Sequence, residues 1–211
     1  MATKRTAKRN QIVKPPVSRA ELPQGQFIIA AAIKLFAEKG YSAATMDDLC
    51  ERTGLNKGTI YYYYNSKALI LFHIADGTVS KALDLIDRLP TDCSPAERLA
   101  KIVDQYTAWL VENGQASKVW THEISYLPEI LTPSQLETLH SKQRQFHKYM
   151  KSLLLDGIER NEFTTNNPEI ATRSIMALFN SSLELAAAGF SHDEIAETLS
   201  AIALNGLRRH D

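Results

Sequence analysis

Apolar and polar residues alternate with a helical period along most of this chain. In QFIIAAAIKLFAEKG, residues 26–40, apolar side chains recur every three or four positions, and the segment ends with a Lys-Gly pair that is typical of a helix stop. Thr45, Asn56 and Ser66 each precede a further helical segment, and their side chains can cap its first turn. The two short segments after Thr45 and Asn56 meet at Gly54, so they predict a helix-turn-helix.

The second half of the chain contains longer helical segments with strong start signals. Ser94-Pro-Ala-Glu and Thr132-Pro-Ser-Gln combine a capping hydroxyl with proline at the first helical position, and Ser191-His-Asp-Glu is a third capping box. Together with the N-terminal segments, these signals indicate an all-α fold. The predicted C-terminal helices lie near residues 94–113, 115–127, 132–161, 168–188 and 191–209.

Composition places the chain among soluble globular proteins. It has 211 residues, of which 44% are hydrophobic and 23% are charged. No apolar run approaches the roughly 20 residues that span a bilayer, and no apolar segment follows the basic N-terminus as in a secretion signal. We therefore expect a cytoplasmic protein, with no membrane partner, in which Cys50 and Cys93 stay reduced.

Positive charge is concentrated at the N-terminal end, although the net charge is zero. Residues 1–67 contain 11 Lys or Arg against 5 Asp or Glu, and residues 4–19 contain no acid at all. Because this basic stretch also contains Pro15 and Pro16, its composition predicts a disordered basic arm over residues 1–22. Such an arm either binds DNA or is only a solvated tail.

The helix after the tight turn begins with groups suited to contact DNA. Asn56, Lys57, Gly58 and Thr59 offer a cap, a cation, an accessible backbone and a hydroxyl near free amide groups that favour anions. Glycine inside a helix costs about 1 kcal/mol relative to alanine, so Gly58 indicates that something approaches the backbone closely. A DNA strand is one candidate, and a neighbouring helix is the other.

Four consecutive tyrosines follow, and they cannot all face one core because successive helical side chains are about 100° apart. Tyr64 continues the apolar face of Ile60 and is predicted to be buried. The other three, residues 61–63, are left to face outward, where phenol hydroxyls can donate to phosphate oxygens. Lys67, in the first turn of the next helix, is predicted to bind a phosphate as well.

The segment from Ile28 to Leu69 resembles the DNA-binding domain of the tetracycline-repressor (TetR) family of bacterial transcription regulators. It departs from the usual family pattern at Leu49-Cys50, Asn56 and Tyr64, and none of these positions removes a group that DNA binding needs. Residue type and spacing agree with the family at Ala31-Ala32, Leu35-Phe36, Gly40-Tyr41, Thr45, Gly54, Lys57-Gly58-Thr59, Tyr61 and Ser66-Lys67.

The resemblance implies an all-helical homodimer with about nine helices per protomer. It divides the chain into the arm, a helix-turn-helix domain at 23–68 and a ligand-binding and dimerisation domain at 69–211. The last two helices would form the dimer interface, and the paired domains would bind a palindromic operator in double-stranded DNA. Thr59 is the first candidate for reading a base. The full set of expected DNA contacts is Thr45, Asn56, Lys57, Gly58, Thr59, Tyr61, Tyr62, Tyr63 and Lys67.

The resemblance also implies a small-molecule effector that binds inside the C-terminal domain and releases the repressor from its operator. Large rings mixed with a few polar groups are typical of such a pocket. The segments WTHEISYLPEIL, HSKQRQFHKYM and LLLDGIERNEF loosely resemble family members that respond to acyl-coenzyme A thioesters, which suggests that class of effector. The candidate lining residues are Trp109, Trp120, Glu123, Tyr126, Phe146, Tyr149, Asn180 and Glu184.

Other functions leave weaker signals in the sequence. No catalytic, cofactor or metal motif stands out, so we expect neither an enzyme nor a bound cofactor. His122, His140 and His147 are the candidates for a metal-responsive regulator, but the last two are two helical turns apart, a gap that two ligands of one ion hardly bridge. A DNA-binding protein without an effector is the remaining alternative, and the sizeable C-terminal domain argues against it.

Overall fold

The computed structural model describes residues 23–90 and 92–207, and within these ranges it contains helices and no strand. The all-α prediction is confirmed, and nine of the ten α-helices described are longer than a single turn. The helices are α1 (Gln24–Lys39), α2 (Met46–Thr53), α3 (Lys57–Tyr63), α4 (Lys67–Asp87), α5 (Pro95–Glu112), α6 (Gly114–Glu123), α7 (Leu127–Ile130), α8 (Pro133–Glu159), α9 (Pro168–Ala188) and α10 (His192–Leu207), with a 3-10 turn at Ile124–Tyr126.

The predicted caps begin these helices. Thr45, Ser94 and Thr132 each form a complete capping box, in which the hydroxyl accepts the amide N–H three residues on and the side chain there accepts the N–H of the cap. Ser191 begins α10 in the same way. Gly54 has φ 66°, in the left-handed region that glycine adopts without strain, so the chain ends α2 there and turns into α3.

The helix predicted at residues 115–127 is shorter in the structure. α6 ends at Glu123, and the chain continues through the 3-10 turn into α7. Pro128 lies in the first turn of α7, where its missing N–H suits a new helix start but does not continue the old helix. The basic arm predicted at 1–22 lies outside the described residues. None of the described helices is long and apolar enough to cross a membrane.

Two hydrophobic cores organise the packing. The first unites α1, α2, α3 and the first half of α4 with Val119, Leu127, Leu131 and Leu139 from the later part of the chain. The second gathers the other half of α4 with α5, α8, α9 and α10. Because α4 is one continuous helix shared by both cores, packing does not break at residue 68, and the domain boundary there stays a prediction.

Candidate nucleic-acid interface and internal cavity

α3 is anchored to the first core on one side only. Ile60 is fully buried, and Tyr64, just after the helix, packs into the same core and donates its hydroxyl to the Gly25 carbonyl at 3.2 Å. Asn56 caps α3 by accepting the Thr59 N–H at 2.8 Å. The burial predicted for Tyr64 is confirmed, and its hydroxyl has a partner inside the protein.

The other three tyrosines lie on the outside of the molecule. Tyr62 is 82% exposed, and Tyr61 and Tyr63 are each 41% exposed. The Tyr63 ring lies beside Gly25 at the start of α1 and meets the Tyr62 ring edge-on, with centroids 5.2 Å apart. Tyr61 and Tyr62 are therefore available to a partner, whereas Tyr63 also packs against the first turn of α1.

Gly58 is exposed, and none of the described helices packs against it. A methyl group placed on its Cα would meet only the Asn56 side chain, at 3.4 Å, among the residues that the structure describes. Helix packing therefore does not explain this glycine. The alternative, close approach by an outside partner, remains.

The two lysines predicted to bind phosphates have different surroundings. Lys57 is on the surface, and its ammonium lies 2.9 Å from the carboxylate of Asp47, whose hydrogen bond raises the pKa of Lys57. Lys67 instead donates to the carbonyls of Tyr41 at 2.7 Å and Ala44 at 2.8 Å. Lys57 can thus exchange its carboxylate partner for a phosphate, while Lys67 holds the turn between α1 and α2.

Thr45 is exposed at the start of α2, and its own hydrogen bonds fix its position. Its hydroxyl accepts the Asp48 N–H at 3.1 Å, and the Asp48 carboxylate accepts the Thr45 N–H at 2.9 Å. Lys39 of α1 donates to the same carboxylate at 2.6 Å, and this bond together with those from Thr45 lowers the pKa of Asp48 to about 2. The capping box therefore also holds α2 against α1.

A cavity of about 180 Å³ lies among α4, α5, α6, α8 and α9. Three of the eight predicted lining residues meet there: Trp120, Phe146 and Asn180. Sequence analysis missed most of the rest because they lie on faces that it assigned to the core or left unassigned. The missed lining residues include Thr78, Ala82, Tyr106, Gln143 and Phe179.

Four of the other predicted lining residues lie outside the cavity. Trp109 packs against Tyr106, which does line the cavity, with ring centroids 5.9 Å apart. Tyr149 is half-buried on α8, and Tyr126 and Glu184 are exposed. The size of a side chain therefore does not decide whether it lines the cavity. The side chain must also point toward the space between α4, α5, α6, α8 and α9.

Glu123, the remaining predicted residue, links the end of α6 to the helix-turn-helix. Its carboxylate accepts the Tyr41 N–H at 3.2 Å, in the same turn that Lys67 holds. Trp120 and Ile124, on either side of Glu123 in sequence, line the cavity. The end of α6 therefore contacts the cavity and the turn before α2 at the same time.

The three histidines of the metal alternative do not come together. His122 and His140 are exposed, and His147 Nε2 lies 3.2 Å from Glu169 Oε1, without the geometry of a hydrogen bond. Within residues 23–90 and 92–207, no group of three or more His, Cys, Asp or Glu side chains could hold a metal ion. The metal-responsive alternative has no support in this part of the chain.

An outward-facing second helix of a helix-turn-helix, joined to a helical bundle with an internal cavity, is the architecture of a DNA-binding regulator. Residues 28–74 match the profile of bacterial regulatory proteins of the tetR family, and residues 92–207 match the tetracyclin repressor-like C-terminal domain. The second match alone covers more than half of the chain. This protein belongs to the TetR family of bacterial transcription regulators, which are DNA-binding proteins and not enzymes.

Similar proteins match this chain over both halves. YvdT of Bacillus subtilis, an uncharacterised helix-turn-helix transcriptional regulator, is 24% identical over 184 residues, which are 86% of this chain and 92% of YvdT. A tetR-family regulatory protein from Rhodococcus RHA1 has a TM-score of 0.80 at 23% identity, over 92% of this chain and 100% of that one. AibR, solved with isovaleryl coenzyme A and operator DNA, has a TM-score of 0.71 at 15% identity, over 84% and 96% of the chains.

Proposed function

We propose that this protein is a homodimeric repressor that binds a palindromic operator through α3 and is released by a small molecule bound in the cavity. The observation that carries the DNA-binding part is the outer surface of α3, where Gly58 and Tyr62 are exposed beside Lys57. Among the described residues of α3 only Ile60 is buried, so Gly58, Tyr62 and Lys57 do not belong to the hydrophobic core. A bare backbone, a phenol and a cation together suit a DNA strand.

The contacts divide by chemistry into those that position the protein and those that read bases. We assign Lys57 and Tyr61 to phosphates, because a cation and a phenol hydroxyl donate to phosphate oxygens whatever the sequence. The Thr59 hydroxyl donates to Asn56 Oδ1 at 3.0 Å, which leaves its methyl group and lone pairs for a base edge. Tyr62, the most exposed of the tyrosines, is the second base-reading candidate.

Exposed apolar side chains support dimerisation through the last two helices. Ile170 on α9, Phe190 just after it and Ile202 on α10 are 62%, 52% and 51% exposed. A second copy of the chain packed on the last two helices would remove these side chains from water, which supports a dimer interface there. A two-fold dimer presents two copies of α3 to two half-sites, so the operator is palindromic.

The effector proposal rests on the cavity and on the fold that this chain shares with AibR. AibR was solved with isovaleryl coenzyme A, and we propose an acyl thioester as the first effector class to test. Glu123 provides the coupling, because it joins the cavity-lining end of α6 to the turn before α2. An effector that moves Trp120 or Ile124 would shift this contact and the position of α2. Because the proposed operator is chromosomal DNA, we propose the cytoplasm as the compartment of this protein.

The DNA-binding part is tested with Lys57→Gln. An operator is first selected from random DNA with the native protein, and affinity is then measured by fluorescence anisotropy at several salt concentrations. Losing one phosphate contact per protomer should flatten the slope of log affinity against log salt by about 0.9 for each contact. Lys81→Gln is the matched control, since Lys81 is a half-exposed lysine on α4 whose ammonium lies 3.9 Å from the Asp84 carboxylate. Equal slopes for both variants would overturn the assignment of Lys57.

A further inference from the structure

The cavity is lined entirely by uncharged side chains. No Lys, Arg, Asp or Glu is among its lining residues, and four aromatic rings form much of its wall. Tyr106 lies at the centre of this group, with its ring centroid 5.1 Å from Phe179 and 6.0 Å from Phe146. A charged group that left water for this site would find no opposite charge, which carries a large free-energy cost.

The volume sets the size of what can enter. An apolar cavity of about 150 Å³ holds a benzene molecule, and this one measures about 180 Å³. It therefore has room for one six-membered ring or a short branched chain, but not for two fused rings. Larger hollows of about 420 and 490 Å³ are shallow surface depressions with charged side chains such as Lys101 and Lys34 in their walls.

The few polar groups of the lining are distributed unevenly. Inside, the Thr78 hydroxyl already donates to the Ile74 carbonyl at 2.9 Å, and burial raises the pKa of Tyr106 to about 12, so its phenol stays neutral. Gln143 is half-buried, and Asn180 is exposed at the rim. The two amides can donate and accept hydrogen bonds, so they can bind one carbonyl or hydroxyl group near the mouth.

We propose that the cavity binds a compact, uncharged group, either a single ring or a short branched acyl chain, whose carbonyl is held at the mouth by Gln143 and Asn180. The binding of such a group does not depend on the proposed function. Only its effect on operator binding rests on that proposal. The same group could belong to a free amide or ester, or to the acyl end of a thioester. The rest of a thioester would leave the cavity past Ile124, which is 37% exposed.

Three probes of one shape test the charge requirement: neutral benzamide, anionic benzoate and cationic benzamidine. Their binding to the full-length protein is measured by isothermal titration calorimetry, with thermal stability as a second readout. We expect benzamide to bind, and the two ions to bind at least about tenfold more weakly because no lining group compensates their charge. An ion that binds as tightly as benzamide, or no binding by any of the three, would overturn the proposal.

Size is tested with 2-naphthamide, whose second ring exceeds the cavity. We expect no binding to the native protein and measurable binding to Met176→Ala, which removes lining volume on α9. Tight binding of 2-naphthamide to the native protein would show that the site is larger than one ring. That result would also contradict the proposal.

Two variants test whether benzamide binds in this cavity. The second changes an exposed side chain, so it remains informative if the first variant does not fold. Ala82→Phe should abolish benzamide binding because a ring on α4 fills the cavity. Asn180→Leu removes an amide at the rim and should weaken benzamide several-fold, whereas Asn166→Leu, the same change at an exposed position outside the cavity, should not. Unchanged affinity in both Ala82→Phe and Asn180→Leu would place benzamide elsewhere.

Further arms separate the source of the group and the two proposals. Benzoyl-coenzyme A that binds much more tightly than benzamide, when coenzyme A alone does not bind, identifies a thioester, and the reverse order identifies a free neutral molecule. Operator affinity is measured in the same samples. If benzamide binds without any change in operator affinity, the cavity assignment stands and regulation through the cavity is contradicted. If the native protein binds no operator even without ligand, only the proposed function is contradicted.

Discussion

Among single residues, Gly58 is where stability and DNA binding should change in opposite directions. Its Cα has space for a methyl group on the protein side, so Gly58→Ala should stabilise α3 by about 1 kcal/mol. On the DNA side the same methyl group would hold the backbone away from a phosphate. We expect a higher melting temperature with weaker operator binding, measured by thermal unfolding and by fluorescence anisotropy.

Gly77→Ala is the control for this prediction. Gly77 is also an exposed glycine within a helix, and a methyl group there meets no atom within 4 Å among the described residues. The variant should be stabilised by a similar amount and should bind the operator as tightly as the native protein. If Gly58→Ala also kept full operator affinity, DNA would not approach this part of α3.

Sequence predicted the position of Tyr64 but not the environment of Lys67. Tyr64 lies one turn after Ile60, so helical periodicity assigns it to the core. The partners of Lys67 are carbonyls in the turn between α1 and α2, and such long-range contacts leave no local pattern in the sequence. Lys67 stays a predicted DNA contact, and to reach a phosphate its ammonium would have to give up these carbonyls.

Among the elements, α2 depends on a carboxylate whose protonation is easily tested. The pKa of Asp48 falls from 3.8 to about 2, mainly through its bond from Lys39, so the folded state binds this proton less readily than the unfolded state. The stabilisation is complete above about pH 4 and is lost as the pH falls toward 2. Asp48→Asn should remove this part of the acid sensitivity, measured as urea midpoints between pH 2 and 5.

Asp84→Asn provides the comparison for the acid-stability measurement. Asp84 is an exposed carboxylate on α4, where Lys81 lies 3.9 Å away, so its removal should change the pH profile little. All other carboxylates are shared by the two variants. Parallel profiles for Asp48→Asn and the native protein would mean that the capping box does not control acid stability.

The helices were predictable to different degrees because their signals differ in range. Capping boxes are local, so Thr45, Ser94 and Thr132 located three helix starts from sequence alone. The end of α6 was misplaced, because the predicted segment continued to residue 127, whereas α6 ends at Glu123 and Pro128 lies in the first turn of the next helix. The contribution of α4 to both hydrophobic cores was not predicted, because an apolar helix face does not specify which other helices cover it.

At the scale of the whole molecule, Glu123 should determine how well the C-terminal helices position α2. Glu123→Ala removes the acceptor of the Tyr41 N–H, and the loss of about 1 kcal/mol corresponds to about fivefold weaker operator binding. Glu123→Gln keeps a carbonyl oxygen at that position and should retain affinity. Anisotropy titrations of both variants test this, and equal losses in the two would mean that charge, not the hydrogen bond, matters.

The dimer proposal is also tested at this scale. Ile202→Glu places a charge on the exposed apolar surface of α10, which should convert the protein to monomers at protein concentrations on the order of micromolar and abolish operator binding. Sedimentation equilibrium measures the mass. Leu155→Glu makes the same kind of change at a side chain on α8 that is 41% exposed, and it should leave the dimer intact. Dimers of Ile202→Glu would contradict the proposed interface.

The cavity was the least predictable feature of the whole molecule. Trp120, Phe146 and Asn180 were found from their size and polarity, but Tyr106 and Phe179 were missed because an inward-facing ring has the same sequence pattern in a filled core as in a cavity wall. Only the meeting of five helices distinguishes the two. DNA-contact candidates were easier to select, because a bare glycine and consecutive tyrosines conflict with local packing rules.

The first core has a practical consequence for exchanging parts between related regulators. Val119, Leu127, Leu131 and Leu139 are each less than 10% exposed because α1 to α4 cover them. In a chimera joined at residue 68, the helix-turn-helix of this protein would pack on the C-terminal domain of another regulator. The apolar side chains of that domain would not be complementary to α1 to α4 of this protein. The smallest transferable unit of this protein includes the surface of α6 to α8 on which its helix-turn-helix rests.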